Sequence, residues 1–314
     1  MVIETCVEVS LNHKNKDMKA LVISGGGSKG AFAGGVAQFL IRELGKEYDM
    51  FLGTSTGSLL VSHLALDKIE AIKEIYTSVN QKSIFSNCPF IVKNKGGVSN
   101  ISINHFNVFN NIIRGRKTFG ESGNLRKLIR RVITKEIFNN IQQTSKDVVV
   151  TVSNLTLNQM EFKSIRECTY DDFMDWIWIS CNYPPFMSLA RKNNYDYADG
   201  GLGCMVPIEE AINRGATEID VIILETEVNF INRLPIKNPF SLITTMIEFM
   251  MDQIEHQNVK TGKLQAKNKN ACIDIYYTPT VLTTNSLIFN KVKMAQWWQN
   301  GFEFARLKNQ SNRI

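Results

Sequence analysis

Three short segments of this chain combine residue types at a spacing that could do chemistry. Ser55 sits at the centre of Gly53-Thr54-Ser55-Thr56-Gly57, a G-x-S-x-G pattern. Glycines two positions either side of a serine relieve crowding in a sharp turn, and a strand before and a helix after would lift the hydroxyl to the carboxyl end of a sheet. A serine placed this way becomes a nucleophile once a base takes its proton; the plainer alternative is a serine that caps the following helix. Asp199, followed by Gly200 and Gly201, is the candidate base, because two permissive glycines allow a turn that presents the carboxylate. Asp196 competes but lacks a following glycine, and an ordinary D-G turn is the plainer reading of Asp199. The third segment is Gly25-Gly26-Gly27-Ser28-Lys29-Gly30, between an apolar run and a helical one. Its backbone N–H groups and the helix dipole favour an anion, either a bound phosphate or a transient oxyanion. A tight structural turn is the alternative without a ligand.

Gly25, Gly27 and Gly30 also fit the dinucleotide pattern G-x-G-x-x-G. That reading needs an acid at the end of the second strand, and Asp49 precedes that strand instead. A P-loop fits badly because Ala31 follows Gly30 where G-K-[ST] is required. Four histidines could serve Ser55 as a base. His13 lies in a polar leader, His63 falls on the apolar stripe of its helix, and His105 lies in a polar middle region. In a helix over 239–257, Phe240, Ile243, Ile247, Met250 and Ile254 form one face, which puts His256 on the opposite, solvated side. A carboxylate is the better placed base. The six cysteines, at 6, 88, 168, 181, 204 and 272, form no C-x-x-C pair and do not cluster with histidine, so metal-ligand spacing is absent and reduced thiols are expected.

The elements that must hold these residues alternate strand and helix, which argues for an α/β fold with a mostly parallel sheet covered on both faces. Strands are expected at 20–24, 50–52, 147–154, 195–199, 219–224 and near 273–277. Helices are expected at 31–44, 58–66, 124–133, 239–257 and 290–307. Residues 83–141 are rich in asparagine, carry Gly96-Gly97, and read as a lid-like insertion with helical parts. The chain has 314 residues, 44% of them apolar, enough for one large domain and too apolar for intrinsic disorder. Its apolar runs stop at four residues, against the roughly 20 of a spanning helix. The first 19 residues lack the continuous apolar stretch of a secretory signal. A cytoplasmic or peripheral-membrane location is the expectation. Thirty-six basic against 30 acidic residues give a net charge of +6, which permits attraction to an anionic surface without demanding it. Residues 114–131 are locally basic, but nothing resembles a nucleic-acid-binding tail.

Taken together and in this order, the three segments resemble those of the patatin-like phospholipases: a glycine-rich loop, a nucleophile elbow and a D-G-[AG] acid. Weaker similarity runs through 124–128, 149–155, 178–186 and 206–215, so the resemblance covers about residues 19–225, with 226–314 as a mainly helical extension. It implies a three-layer α/β/α fold and a Ser–Asp dyad without histidine that cleaves carboxylic esters of phospholipids or other acyl lipids. Ser55 would be the nucleophile, Asp199 the proton acceptor, and the backbone of the loop 25–30, chiefly Gly26 and Gly27, the oxyanion hole. Acyl transfer at Ser55 would require no metal or cofactor. The acid motif ends in glycine where alanine is also common. Cys181-Asn182-Tyr183 stands where smaller residues are usual ahead of Pro184-Pro185, a change expected to reshape the acyl pocket.

A lipid substrate would be met at a membrane surface. Two stretches are candidates for that contact. One is the middle region, with Phe106, Phe109, Arg114, Arg116, Lys117, Phe119, Arg126, Lys127, Arg130 and Arg131; the other is Trp297-Trp298. Against them, Leu125, Leu128 and Ile129 pattern as a packed helix with solvated arginines, and Trp298, Phe302 and Ala305 share one helical side. Two other functions stay open from sequence: a nucleotide-binding oxidoreductase using the G-x-G-x-x-G loop, and a non-catalytic lipid-binding module.

Overall fold

The computed structural model describes residues 17–95, 98–227, 236 and 239–311. The expectations placed on residues 1–16, His13 and Cys6 among them, and on Gly96-Gly97 lie outside the described residues. β1 (Met18–Ile23) leads through a short 3-10 turn into α1 (Gly30–Gln38), which passes into a π-helical turn over Phe39–Glu43. β2 (Met50–Thr54) runs straight into α2 (Thr56–Ala65), followed by α3 (Ile69–Ser78) and α4 (Gln81–Ile84). The middle region holds more than helix. β3 (Phe90–Lys95) and β4 (Val98–Ile103) form an antiparallel hairpin of their own ahead of α5 (His105–Ile113), α6 (Gly123–Val132) and α7 (Lys135–Gln143). Phe-Ile-Val-Lys-Asn-Lys does not alternate, so periodicity offered no sign of that hairpin.

After β5 (Asp147–Asn154) come β6 (Gln159–Ser164), α8 (Tyr170–Ser180), β7 (Ala190–Lys192), β8 (Tyr195–Asp199), α9 (Ile208–Asn213) and β9 (Ala216–Ile223). α10 (Pro239–Asn268), β10 (Cys272–Tyr277) and α11 (Lys291–Ser311) complete the described chain. β10, β9, β1, β2 and β5 lie side by side and parallel. β6 lies antiparallel along one edge of β5. On the other edge β5 changes partner midway: Thr151 is the last residue opposite β2, at Thr54, and Val152 is the first opposite β8, at Asp199. A strand has only two edges, so β8 enters the sheet where β2 leaves it.

Side chains alternate across the pleat and feed two cores. Leu21, Ile23, Phe51, Val148 and Val150 face one core, packed against α1, α2, α8 and α11. Ala20, Val22, Leu52, Val149 and Val221 face the other, against α9 and α10. This is the expected α/β arrangement, a mostly parallel sheet with helices on both sides.

Two expectations are corrected. Trp297 and Trp298 are buried, and the Trp298 indole N–H donates to Gln38 Oε1 at 2.7 Å, so they are core residues. Their spacing with Ala305 suits a packed stripe, and α11 lies along α1 to supply it. In α10, Met250 is half exposed while Met251 and Glu255 point inward. The first turns of that helix also expose Leu242, Met246 and Phe249, so apolar spacing alone could not set its phase. His256 is exposed, as expected.

Candidate active site

β2 ends and α2 begins at Ser55, whose φ of 51° lies in the left-handed region that a residue with a Cβ rarely adopts. The turn is tight enough that a Cβ on Gly53 would overlap the backbone of Gly57, and one on Gly57 would overlap the Ile23 carbonyl of β1, so neither end of G-x-S-x-G has room for a side chain. The Ser55 N–H donates to Ser180 Oγ at 2.9 Å, and its carbonyl accepts from Ser58 Oγ at 2.6 Å and Cys181 Sγ at 3.1 Å. These bonds fix the strained turn from α8 as well as from α2.

The partner change along β5 brings Asp199 beside the elbow. Thr54 and Asp199 lie opposite consecutive residues of β5, and Ser55 Oγ donates to Asp199 Oδ2 at 2.7 Å. The other carboxylate oxygen accepts from Gly201 N at 2.8 Å, so the D-G-G turn fixes the acid as well as presenting it. Asp199 is 2% exposed. Burial pushes its carboxyl up to about 7, against smaller downward pulls from the Ser55 and Gly201 hydrogen bonds. Asp196, the competitor, pairs with Lys117 away from the site.

The loop 25–30 closes the other side of the site. Gly25 N donates to Met205 O, Ser28 N to Ser286 O, Lys29 N to Gly26 O, and Gly30 N back into the turn. Among the described residues this leaves the N–H groups of Gly26 and Gly27 without a protein acceptor, next to Ser55 in the wall of one cavity. Gly27 has φ 55°, and a Cβ there would overlap Ser286 O. The Lys29 side chain is buried and forms an ion pair with Glu225 just past β9. Glu248, Asp252 and Glu255 line the same cavity from α10. Burial first, then the Glu225 carboxylate, pushes Glu255 up to about 8. Away from this acidic side the cavity is apolar, walled by Leu59, Ile72 and Val79 and, from the middle region, Ile84, Leu125 and Ile129.

Two site residues carried no sequence signal. Tyr76, from α3, donates its hydroxyl to Gly27 O at 2.6 Å and hydrogen-bonds Thr56 Oγ1, so it ties the glycine loop to the elbow. Ser180 holds the Ser55 backbone. Neither histidine placed on a helix near the site reaches it. His63 is buried, and desolvation pulls it down to about 4; it is absent from the cavity wall, and so is His256. The dinucleotide reading fails on geometry, since Asp49 lies at the opposite end of β2, accepting from Lys19 N at 3.0 Å.

Such a site can pass a proton from a hydroxyl to a desolvated carboxylate and offer two N–H donors to a nearby oxyanion. Comparison with curated proteins gives no match. Among solved structures, the crystal structure of VipD from Legionella pneumophila aligns with 94% of this chain and 67% of its own, at 15% identity and a TM-score of 0.46. A model of the patatin-like phospholipases, a family of lipid acyl hydrolases, matches residues 21–212, a span that holds the elbow, the acid turn and the glycine loop. The chain belongs to the patatin-like phospholipase family.

Proposed function

We propose that the protein hydrolyses carboxylic ester bonds of acyl lipids by two-step acyl transfer at Ser55. The observation that carries this reading is the 2.7 Å hydrogen bond from Ser55 Oγ to a buried, otherwise acceptor-only Asp199. Asp199 accepts the Ser55 proton as Oγ attacks the ester carbonyl. The N–H groups of Gly26 and Gly27 receive the tetrahedral oxyanion, a contribution of roughly 3–4 kcal/mol per donor where such donors have been removed from serine hydrolases. The C–O bond to the leaving alcohol breaks, and that oxygen takes the proton from Asp199. Water then attacks the acyl-enzyme, Asp199 accepts its proton and returns it to Ser55, and the fatty acid leaves. The apolar wall of Leu59, Ile72, Leu125 and Ile129 suits an acyl chain. No step needs a metal or a redox cofactor.

The test is release of fatty acid from a phospholipid extract by wild type and by Ser55→Ala. The reading expects free fatty acid with the first protein and none above background with the second. Equal release by both would overturn it.

A further inference from the structure

α5 is built inside out. Phe106, Phe109, Ile112 and Ile113 are 78%, 63%, 57% and 68% exposed, and they fall on one side of a nine-residue helix. Two of its three asparagines, Asn107 and Asn111, face the protein. Asn107 Nδ2 donates to Cys88 O at 2.9 Å, Asn111 Nδ2 donates to Thr118 O at 3.2 Å, and Asn111 Oδ1 accepts from Asn87 Nδ2 at 2.6 Å. Val108 is the only apolar residue of α5 that is buried. Water-soluble helices normally bury their apolar stripe, because leaving large side chains in water forfeits the main stabilising term of folding. Here polar bonds anchor the inner face instead, and the apolar stripe is left for something outside the chain.

The surrounding charge says what that is. From Ile75 to Gly120 the sequence contains no aspartate or glutamate, while Lys82, Lys93, Lys95, Arg114, Arg116 and Lys117 lie within it. Arg114, Arg116 and Lys117 are all exposed at the C-terminal end of α5, and of these only Lys117 has a carboxylate partner among the described residues. The basic helix α6 is a different case. Its Arg126 and Arg130 are bound by Asp175 of α8, with Arg130 also meeting Asp171, and its Leu125 and Ile129 are buried. Among the described residues, α5 joins an exposed apolar stripe to cations that carboxylates do not neutralise, the two features by which a short helix holds to an anionic lipid surface.

The position of α5 fits the site. Asn107 and Asn111 bind residues between α4 and β3 and in the loop after α5, where Phe119 N donates to Pro185 O at 2.7 Å. The neighbouring Tyr183, stacked on Phe186, lines the catalytic cavity, as does Ile84 of α4. α5 is therefore anchored on segments that adjoin the cavity wall.

We infer that α5 inserts its Phe106, Phe109, Ile112 and Ile113 face into the headgroup layer of an anionic membrane and so sets the cavity against its lipid substrate. The identity of the partner as a membrane rests on the lipid-hydrolase reading of Ser55, and the test separates the two. Binding is measured by sedimentation with vesicles of phosphatidylcholine alone and of equimolar phosphatidylcholine and phosphatidylglycerol, in a Ser55→Ala background so that no turnover intervenes. Hydrolysis of a soluble short-chain chromogenic ester is measured separately with Ser55 intact. The expected result is binding to the mixed vesicles that falls on the order of tenfold or more in Phe106→Ser/Phe109→Ser/Ile113→Ser. A loss of similar size is expected in Arg114→Gln/Arg116→Gln, together with a weaker salt dependence. All these variants should keep wild-type turnover of the soluble ester. Undiminished vesicle binding by the triple variant overturns the inference, as does an α5-dependent self-association with no lipid binding. Intact vesicle binding with no ester hydrolysis would instead sink the function and leave the surface standing.

Discussion

Asp199 has a stability cost that follows from its burial. Its folded-state carboxyl titrates near 7, above the 3.8 of a free aspartate, because burial disfavours the charged form. Between those values the folded protein holds a proton that the unfolded chain has released. The stabilisation is therefore complete at low pH and is lost as pH rises through about 7. Activity runs the other way, since only the carboxylate can accept the Ser55 proton, and kcat/KM on a soluble ester is expected to rise with pH through about 7. Asp199→Asn keeps the shape and removes the charge. It is expected to lose at least 10²-fold in turnover and yet to melt higher than wild type at pH 8; an unchanged melting temperature would show that the carboxylate is not strained by burial. Tyr76 acts at the same scale through other groups. Tyr76→Phe removes the hydroxyl that joins Gly27 O to Thr56 and is expected to lower kcat more than it raises KM, because loop donors matter most when charge develops. A change confined to KM would place Tyr76 in substrate binding alone.

At the scale of elements, Ser55 and Asp199 meet because β5 gives up β2 and takes β8 within one residue, Thr151 to Val152. Ser55 and Asp199 were legible in sequence because each stands in a local glycine turn. Tyr76 and Ser180 were not, because α3 and α8 bring them to the site by tertiary packing that no spacing encodes. The β1, β2, β5, β9 and β10 strands were legible as short apolar runs, whereas the polar β6 and three-residue β7 offered no such run. α5 was legible in its residues and not in its orientation: a pattern of phenylalanine and asparagine does not say which face the protein keeps. The crossing of α1 and α11 gives a further test. A Cβ on Gly35 would overlap the Trp298 carbonyl, so backbone meets backbone there. Gly35→Ala is expected to cost about 1–3 kcal/mol in urea unfolding by forcing the helices apart. A neutral result would mean that α11 can shift without loss.

For the whole molecule, Ser55 and the glycine loop follow the carboxyl ends of the parallel strands β2 and β1, and Asp199 reaches them from the end of the antiparallel β8. The cavity they open into has one acidic side and one apolar side, and the middle region supplies much of the apolar wall. Among the described residues no helix is long and apolar enough to cross a membrane. The account stands on Ser55 being the nucleophile. The most direct measurement is labelling of the intact protein with a fluorophosphonate, followed by peptide mapping. It should give one adduct, on Ser55, forming faster as pH rises through 7 and absent in Ser55→Ala; an adduct on another residue, or ester hydrolysis that survives in Ser55→Ala, would contradict it.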